Sequence, residues 1–339
     1  MNNKNVSMRR LASFDLGTNT FLLLIADVSY GRVEPVFEKE TIVRLGKGVD
    51  AAGNLNAEAM QRGWACLQEY IEIAKQHDVE KIFAVGTSAL RDAANRSDFL
   101  DTVFERTGVR IEIISGEKEA RLTFSGTLSN KTNLPGPIAV LDIGGGSTEV
   151  VIGEPHLLRE TSLQARSADI GSVRLTERFV HSDPAQAEEV MRLRQQAETV
   201  MRATWLPDNL AKVKTLIGTA GTITTLAAMA QAMQEYDPRR IDGFVLTRQK
   251  LGEIIIDLRR RTIAERSELP GLSAARADVI LAGALILETF LDIYKFPELM
   301  VSDRGLRYGV LEEKVAEQQE MVYQRGFAAI KISRQNSVN

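Results

Sequence analysis

The chain has 339 residues, enough for about two domains, and its 44% hydrophobic and 26% charged residues are typical of a globular protein. Its 42 Lys and Arg against 45 Asp and Glu leave a net charge of −3, so no nucleic acid polymer is expected and a polyanion would have to bind at one local site. Cys66 is the single cysteine, so no internal disulfide can form. No apolar stretch approaches the ~18 residues of a membrane span, and no cleavage site follows the N-terminal apolar stretch. We therefore expect a cytoplasmic protein that does not enter a membrane.

The first 130 residues alternate between strand and helix patterns. Short apolar runs bounded by turn residues predict strands, and apolar residues at helical spacing predict helices. The segment 130–137 is rich in Asn, Pro and Gly and offers little that could pack, so it predicts a domain boundary. The predicted elements are strands over 11–14, 21–28 and 33–43, a helix over 56–77, a strand over 81–85, a helix over 97–106, a strand over 110–114 and a helix from 117.

The second half continues the alternation. Strands are predicted over 138–143 and 150–153, then a helix over 184–205, a strand over 213–217, mostly helix from 247, a strand over 299–301 and a last helix over 309–324. Strands alternating with helices in both halves indicate an α/β fold. We expect one domain over residues 1–130, a second over 131–304, and a C-terminal helix, about 305–330, that packs back on the first.

A weak internal repeat lies within this alternation. The segment Asp15-Leu16-Gly17-Thr18-Asn19-Thr20 recurs 127 residues later as Asp142-Ile143-Gly144-Gly145-Gly146-Ser147. Each copy joins an apolar strand, an Asp near its end, a turn of small residues and a returning strand. An ordinary hairpin with a capping Asp could produce one copy, but two copies about one domain apart favour a shared function.

The small residues of both turns suit an anion such as phosphate. They let the backbone approach a ligand closely and let several N–H groups point at one anion. A carboxylate beside bound phosphate needs a cation between them, so Asp15 and Asp142 predict a hard divalent ion, Mg²⁺ or another such as Mn²⁺. The phosphate-binding candidates in the two turns are Gly17, Thr18, Asn19, Thr20, Gly144, Gly145, Gly146 and Ser147.

A third glycine-rich turn follows the predicted strand 213–217. It reads Gly218-Thr219-Ala220-Gly221-Thr222 and opens a helix, whose free N-terminal N–H groups suit phosphate. It matches neither G-x-G-x-x-G nor G-x-x-x-x-G-K-[ST]. Gly218, Thr219 and Gly221 are therefore weaker phosphate-binding candidates.

Together the three turns resemble the phosphate-one, phosphate-two and adenosine motifs of the actin, Hsp70 and sugar-kinase superfamily. The exopolyphosphatase and guanosine pentaphosphate phosphohydrolase family is similar in three further segments, 86–93 (GTSALRDA), 114–122 (ISGEKEARL) and 301–309 (VSDRGLRYG). The resemblance covers about residues 11–315. It implies an α/β fold of two related ribonuclease-H-like (actin-like ATPase) domains that flank a deep cleft.

The resemblance also implies roles for individual side chains. Glu119, the Glu before Ala-Arg in segment 114–122, corresponds to the family's catalytic base, and Glu149 resembles its second cleft carboxylate. Arg91 could hold phosphate oxygens through its planar fork, and Arg44 is a weaker candidate of the same kind. Lys118 stands where many relatives carry another acid, which could shift the pKa of Glu119.

The implied function is metal-dependent hydrolysis of the terminal phosphate of inorganic polyphosphate, with release of orthophosphate. Guanosine pentaphosphate is the alternative substrate within the family. An ATP-dependent small-molecule kinase and a non-enzymatic, actin-like assembly protein are alternatives from other classes. We expect no room for the HD-like helical domain of longer relatives, and a longer loop over 162–171. A homodimer is compatible with the sequence and not determined by it.

Overall fold

The computed structural model describes residues 8–29, 32–154 and 163–317, which form two lobes, each built on a mixed β-sheet. Helix α5 leads from lobe I into lobe II. Lobe I and this connection contain β1 (Arg9–Leu16), β2 (Thr20–Ser29), β3 (Arg32–Ile42), α1 (Val49–Ala52), α2 (Ala57–Gln76), β4 (Lys81–Gly86), α3 (Ser88–Asp92), α4 (Arg96–Thr107), β5 (Ile111–Ile113) and α5 (Gly116–Leu128).

Lobe II is the larger of the two. A last helix, α14, follows it, beginning at residue 306 and described as far as 317. The elements of lobe II are β6 (Ile138–Ile143), β7 (Thr148–Gly153), β8 (Gln164–Ala168), α6 (Ser172–Phe179), α7 (Ala187–Thr204), α8 (Pro207–Leu210), β9 (Thr215–Thr219), α9 (Ala220–Ala230), α10 (Pro238–Ile241), β10 (Val245–Thr247), α11 (Arg248–Arg260), α12 (Ile263–Arg266), α13 (Ile280–Tyr294) and β11 (Glu298–Val301).

The two sheets share one strand order. Lobe I has the order β3-β2-β1-β4-β5, and lobe II has β10-β11-β9-β6-β7-β8. The run β8-β7-β6-β9-β11 repeats the order of lobe I, with the same antiparallel and parallel pairings. Strand β10 adds an antiparallel edge to lobe II. The predicted fold class, two related ribonuclease-H-like α/β domains, is therefore confirmed, and the repeat extends from the turns through both sheets.

Strand β1 is buried on both faces because helices cover both sides of its sheet. One face contributes Ala12, Phe14 and Leu16 to a core shared with α2. The other face packs on α14, through a cluster made of Leu11, Leu24, Ala26, Val28, Val33, Tyr308, Leu311 and Val315. Helix α14 therefore returns to lobe I, while residues 318–330 of the predicted C-terminal helix lie outside the described residues.

Helices α5 and α14 cross at the junction of the lobes. One face of α5 packs on β6, β7 and β8 of lobe II, while its Leu122 packs with Val85 and Ile114 of lobe I, so this helix connects the lobes. The domain boundary at residue 130 stays a prediction. A Cβ at Gly126 would lie 2.1 Å from the Gly305 carbonyl oxygen, and one at Gly309 would lie 1.9 Å from the Leu122 carbonyl oxygen. Glycine at these two positions permits direct backbone contact between the helices.

The long predicted helices occur as α2 and α7, and Asn56 caps α2 by accepting a hydrogen bond from the Ala59 N–H (2.8 Å). The sequence does not predict β8 or β10, because both are short and lack an apolar run. Their pairing with β7 and β11 places them in the sheet, so tertiary context outweighs local preference. Strand β8 lies within the segment 162–171 that the sequence predicts as a loop. Within the described ranges, no helix combines the length and apolar character needed to cross a bilayer.

Candidate active site

The two repeated turns follow the central strands β1 and β6 and have the same backbone geometry. In the first, which we call turn 1 (residues 17–20), the Gly17 N–H donates to the Thr20 carbonyl at 3.0 Å. In the second, turn 2 (residues 144–147), the Gly144 N–H donates to the Ser147 carbonyl, also at 3.0 Å. The sequence repeat therefore corresponds to a repeat in hydrogen bonding.

The carbonyls of turn 1 are held from one side. The Thr18 and Asn19 carbonyls accept hydrogen bonds from backbone N–H groups of segment 43–46, at 2.8–3.0 Å. In a planar trans peptide, a carbonyl and the N–H that follows it point in opposite directions. The N–H groups of Asn19 and Thr20 therefore point away from segment 43–46, toward the cleft that both residues line.

Turn 2 is also held by backbone N–H groups, here at the start of α6, but its held carbonyls begin one position earlier than those of turn 1. The Gly144 and Gly145 carbonyls accept hydrogen bonds from backbone N–H groups of residues 172–174, at 2.9–3.1 Å. A Cβ at Gly171 would lie 2.4 Å from the Gly145 carbonyl oxygen, so glycine is required for α6 to approach the turn. The N–H groups of Gly145 and Gly146, which follow these carbonyls, point away from α6, and both residues line the cleft.

Most of the predicted site residues line a single cleft between the lobes. The structure brings together one residue of α5, both aspartates, both turns and the start of α9. The predicted residues that line this cleft are Asp15, Gly17, Thr18, Asn19, Thr20, Glu119, Asp142, Gly144, Gly145, Gly146, Ser147 and Gly221.

The third turn contributes less than the sequence predicts. Gly218 lies inside β9, where a Cβ would meet Leu299 and Ile223, so its place is in packing and not in the cleft lining. The Thr219 hydroxyl donates to the Arg304 carbonyl at 2.8 Å, and the residue borders an adjoining cavity. Ala220 has φ of 68°, which is rare for a residue other than glycine, and this strained turn places Gly221 at the cleft.

Four carboxylates meet at the cleft: Asp15, Glu119 and Asp142 line it, and Glu149 lies beside Asp142 on the neighbouring strand. Asp15, Glu119 and Glu149 are buried, and Asp142 is half-buried. Burial raises the pKa of Asp15 to about 7. Burial, reinforced by the charges of Asp142 and Asp15, raises the pKa of Glu119 to about 8. Desolvation also raises the pKa values of Asp142 and Glu149, which are cross-strand neighbours in β6 and β7, and nearby carboxylates raise both further. The free site therefore favours protonated carboxyls or a bound cation.

Two polar groups orient the two glutamates. The Arg91 guanidinium donates to Glu119 Oε2 at 3.1 Å and to the Ile114 carbonyl at 3.0 Å. The Ser167 hydroxyl of β8 donates to Glu149 Oε1 at 2.6 Å. Arg91 and Glu149 thus belong to the site as neighbours of the cleft lining.

The donor set fits a hard divalent cation. Asp15 Oδ1 and Glu149 Oε2 are buried without a hydrogen-bond partner among the described residues. Mg²⁺ prefers such oxygen ligands and commonly takes one or two carboxylates with water and phosphate. Across residues 8–29, 32–154 and 163–317, no three metal-ligating side chains form a ready-made cluster, so an ion here would complete its shell with water and substrate.

Two residues singled out in the sequence are engaged elsewhere. Arg44 donates to both carboxylate oxygens of Asp278, at 2.8 and 2.9 Å, and so joins the two lobes. Lys118 pairs with Glu112 of β5 at 2.8 Å and with Glu313 of α14 at 3.5 Å. Those two carboxylates compensate its charge, and it is not among the main causes of the raised pKa of Glu119.

Sequence reasoning missed two arginines at the cleft. Arg276 lines it, pairs with Glu40 of lobe I at 3.0 Å, and lies where a Cβ at Gly221 would be 2.4 Å from its Nη2. Arg174 donates from Nε to the Gly146 carbonyl at 2.7 Å. Neither stands beside a recognisable motif. The packing of α6 against turn 2 positions Arg174, and the short 3-10 helix Ala274–Arg276, which precedes α13, positions Arg276.

Comparison with known proteins agrees with this architecture. The profile of the Ppx/GppA phosphatase family matches residues 24–318. Exopolyphosphatase 2 of Mycobacterium tuberculosis is 38% identical over 296 residues, which cover 84% of this chain and 90% of that protein.

Solved structures match both lobes. The PPX-GPPA enzyme of Aquifex aeolicus aligns with a TM-score of 0.75 and 34% identity, covering 91% of this chain and 100% of the other. An exopolyphosphatase from Cytophaga hutchinsonii aligns with a TM-score of 0.83 and 28% identity, covering 91% and 98%. Repeated sheets, paired turns and sequence similarity along most of the chain lead to one conclusion: this protein belongs to the Ppx/GppA phosphatase family.

Proposed function

We propose that this protein is an exopolyphosphatase, which hydrolyses the terminal phosphate of inorganic polyphosphate and releases orthophosphate. One observation supports the proposal most strongly: the backbone N–H groups of turn 1 and turn 2 lie around the same cleft as the cluster of carboxylates. The turns suit phosphate oxygens, and the cluster supplies a base and ligands for a cation. The exopolyphosphatase names of the relatives support polyphosphate as the substrate class.

Glu119 is the proposed general base. It lines the cleft, is 8% exposed, and has a pKa raised to about 8, so its ionised form, whose population grows as pH approaches 8, is a stronger base toward water than an ordinary carboxylate. Arg91 holds its Oε2, which leaves Oε1 for the attacking water. Glu149, fixed by Ser167, is placed to orient that water or the cation.

Asp15 and Asp142 would hold Mg²⁺ or Mn²⁺, an ion that neutralises charge on the phosphate oxygens when bound. The N–H groups of turn 1 and turn 2 stabilise the charge that develops on the transferred phosphoryl group. Arg276, whose Nη2 lies 3.5 Å from the Thr20 hydroxyl, adds a positive charge to the cleft lining. With a net charge of −3, the surface as a whole does not attract a polyanion, so this local site must do so.

Guanosine pentaphosphate is the second candidate substrate. A cavity of about 480 Å³, lined in part by Met233, Pro270 and Leu272, adjoins the cleft at Arg276 and Glu40. Its walls combine these apolar side chains with polar ones such as Gln234 and Tyr236, a mixture that suits a nucleoside whose phosphates lie in the cleft. A kinase would transfer phosphate only when an acceptor is present, and an assembly protein would not turn over polyphosphate. Each alternative therefore predicts a result in a phosphate-release assay that differs from the result for a phosphatase.

A phosphate-release panel tests the proposal. The purified protein is incubated with short polyphosphate, long polyphosphate, guanosine pentaphosphate or ATP, each with Mg²⁺, with Mn²⁺ or with EDTA. We expect acceptor-independent release from polyphosphate that requires the divalent ion. Release from guanosine pentaphosphate alone would replace the first candidate with the second, and no release from either would refute both.

A further inference from the structure

The third carbonyl of turn 2 is held by a side chain, not by the backbone. In turn 1, the Asn19 carbonyl accepts hydrogen bonds from the backbone N–H groups of Val43 (3.0 Å) and Arg44 (2.8 Å). Gly146 is the equivalent residue 127 positions later. Within the described residues, its carbonyl accepts a hydrogen bond from Arg174 Nε, at 2.7 Å, and no backbone donor reaches it.

The same guanidinium reaches across to lobe I. Its Nη1 binds Asp50, and its Nη2 binds Asp92 and lies 3.4 Å from the Ser88 hydroxyl. The Arg174 side chain is 12% exposed, and the Asp50 side chain is 13% exposed. One arginine therefore contacts turn 2 in its own lobe and two carboxylates in the other lobe.

This arrangement makes the orientation of turn 2 dependent on the relative position of the lobes. If the lobes separate, Asp50 and Asp92 move away and the guanidinium loses the charges that hold it against the turn. Gly146 has no Cβ, so its peptide can then rotate easily. A rotated peptide would turn the Gly146 carbonyl toward phosphate and withdraw the Ser147 N–H, which would weaken phosphate binding by the turn.

We propose that Arg174 is a positioning residue that orients turn 2 for phosphate binding only while the lobes are closed on each other. The proposal rests on the proposed phosphatase function and adds a residue to it. Arg174 need not contact the substrate, because it acts through the Gly146 peptide. Turn 1 needs no such residue, because the backbone of its own lobe holds the matching carbonyl.

Arg178 provides a matched control. It lies one helical turn further along α6 and binds the same Asp50 carboxylate through Nε and Nη2, but it makes no hydrogen bond to turn 2. The variant Arg178→Ala therefore removes one ion pair between the lobes but leaves Arg174 with both of its carboxylates, Asp50 and Asp92, and with its bond to turn 2. The variant Arg174→Lys retains a charge for Asp50 and Asp92 but lacks the Nε–H that binds Gly146.

The first test is kinetic and compares Arg174→Ala, Arg174→Lys and Arg178→Ala with the wild type on polyphosphate. Displacing a reacting group by about 1 Å can cost about 100-fold in rate, so we expect kcat to fall by about 10- to 100-fold in both Arg174 variants, with a smaller change in KM. Arg178→Ala should stay within about threefold of the wild type. Wild-type kcat in Arg174→Lys, or an equal loss in Arg178→Ala, would overturn the proposal in favour of a simple contact between the lobes.

The second test needs no substrate and separates this proposal from the proposed function. Hydrogen–deuterium exchange is measured on the free protein at the amides of residues 145–147. We expect exchange to be about tenfold faster in Arg174→Ala and Arg174→Lys and unchanged in Arg178→Ala. Unchanged exchange in both Arg174 variants would refute the positioning role. A wild type that releases no phosphate would instead refute the function and leave this result standing.

Discussion

Replacing Glu119 with Gln should make the metal-free protein more stable while it removes activity. Folding raises the pKa of Glu119 from 4.5 to about 8, chiefly through burial. At 1.36 kcal/mol per pKa unit, keeping this group neutral at pH 7 costs about 3 kcal/mol relative to the ionised unfolded chain. Gln is neutral in both states and pays no such cost, so we expect a gain of about 1–3 kcal/mol at pH 7 after the loss of the Arg91 contact is allowed for.

The sign of this effect follows from proton binding. Between pH 4.5 and about 8, the folded protein holds a proton on Glu119 that the unfolded chain has lost, so this group makes stability fall as pH rises through that interval. Below pH 4.5 both states are protonated, and the advantage of Gln should vanish. The same substitution removes the proposed base, so kcat for phosphate release should fall by about 10²- to 10⁴-fold.

Urea unfolding in EDTA at pH 4 and pH 7 measures the stability change, and orthophosphate release with Mg²⁺ measures kcat. Glu117 supplies the control, because it occupies the same first turn of α5 but its side chain is 58% exposed. Glu117→Gln should leave both quantities nearly unchanged. A Glu119→Gln variant that is less stable than the wild type at pH 7, or that retains kcat within tenfold, would refute the reasoning.

Three further predictions concern the cation, the pH profile and the helix crossing. Asp142→Asn should abolish the rise in Tm that Mg²⁺ gives the wild type, and an undiminished rise would remove Asp142 from the ion site. In the wild type, kcat/KM should increase from pH 6 to about 8 as Glu119 loses its proton; a flat profile would argue against a base with a raised pKa. Gly126→Ala should destabilise the protein by about 3 kcal/mol or more, since the new Cβ would lie 2.1 Å from the Gly305 carbonyl oxygen. Gly252→Ala in α11 is the control, because its new Cβ would meet only the Arg248 side chain, at 3.1 Å, and it should be neutral or stabilising. Calorimetric Tm values of both variants test this prediction.

Patterns among residues close in sequence predict much of the fold. Apolar spacing identifies α2 and α7, and small residues after an apolar strand identify turn 1 and turn 2, because these signals depend on neighbours in sequence. The 127-residue repeat indicates two related halves before any contact is known. The sequence does not predict edge strand β8, because these residues form a strand only through their pairing with β7.

The sequence by itself determined that an Asp lies near the end of each central strand and that a turn of small residues follows it. It therefore predicted one kind of site, built from two phosphate-binding turns and two aspartates. Only the tertiary structure decided their electrostatics. The raised pKa of Glu119 comes from burial and from carboxylates far away in the chain, Asp15 and Asp142. The packing of helices brings Arg174 to turn 2 and Arg276 to the cleft. Arg44 instead forms an ion pair with Asp278. Such contacts join residues separated by tens to hundreds of positions, and no local spacing records them.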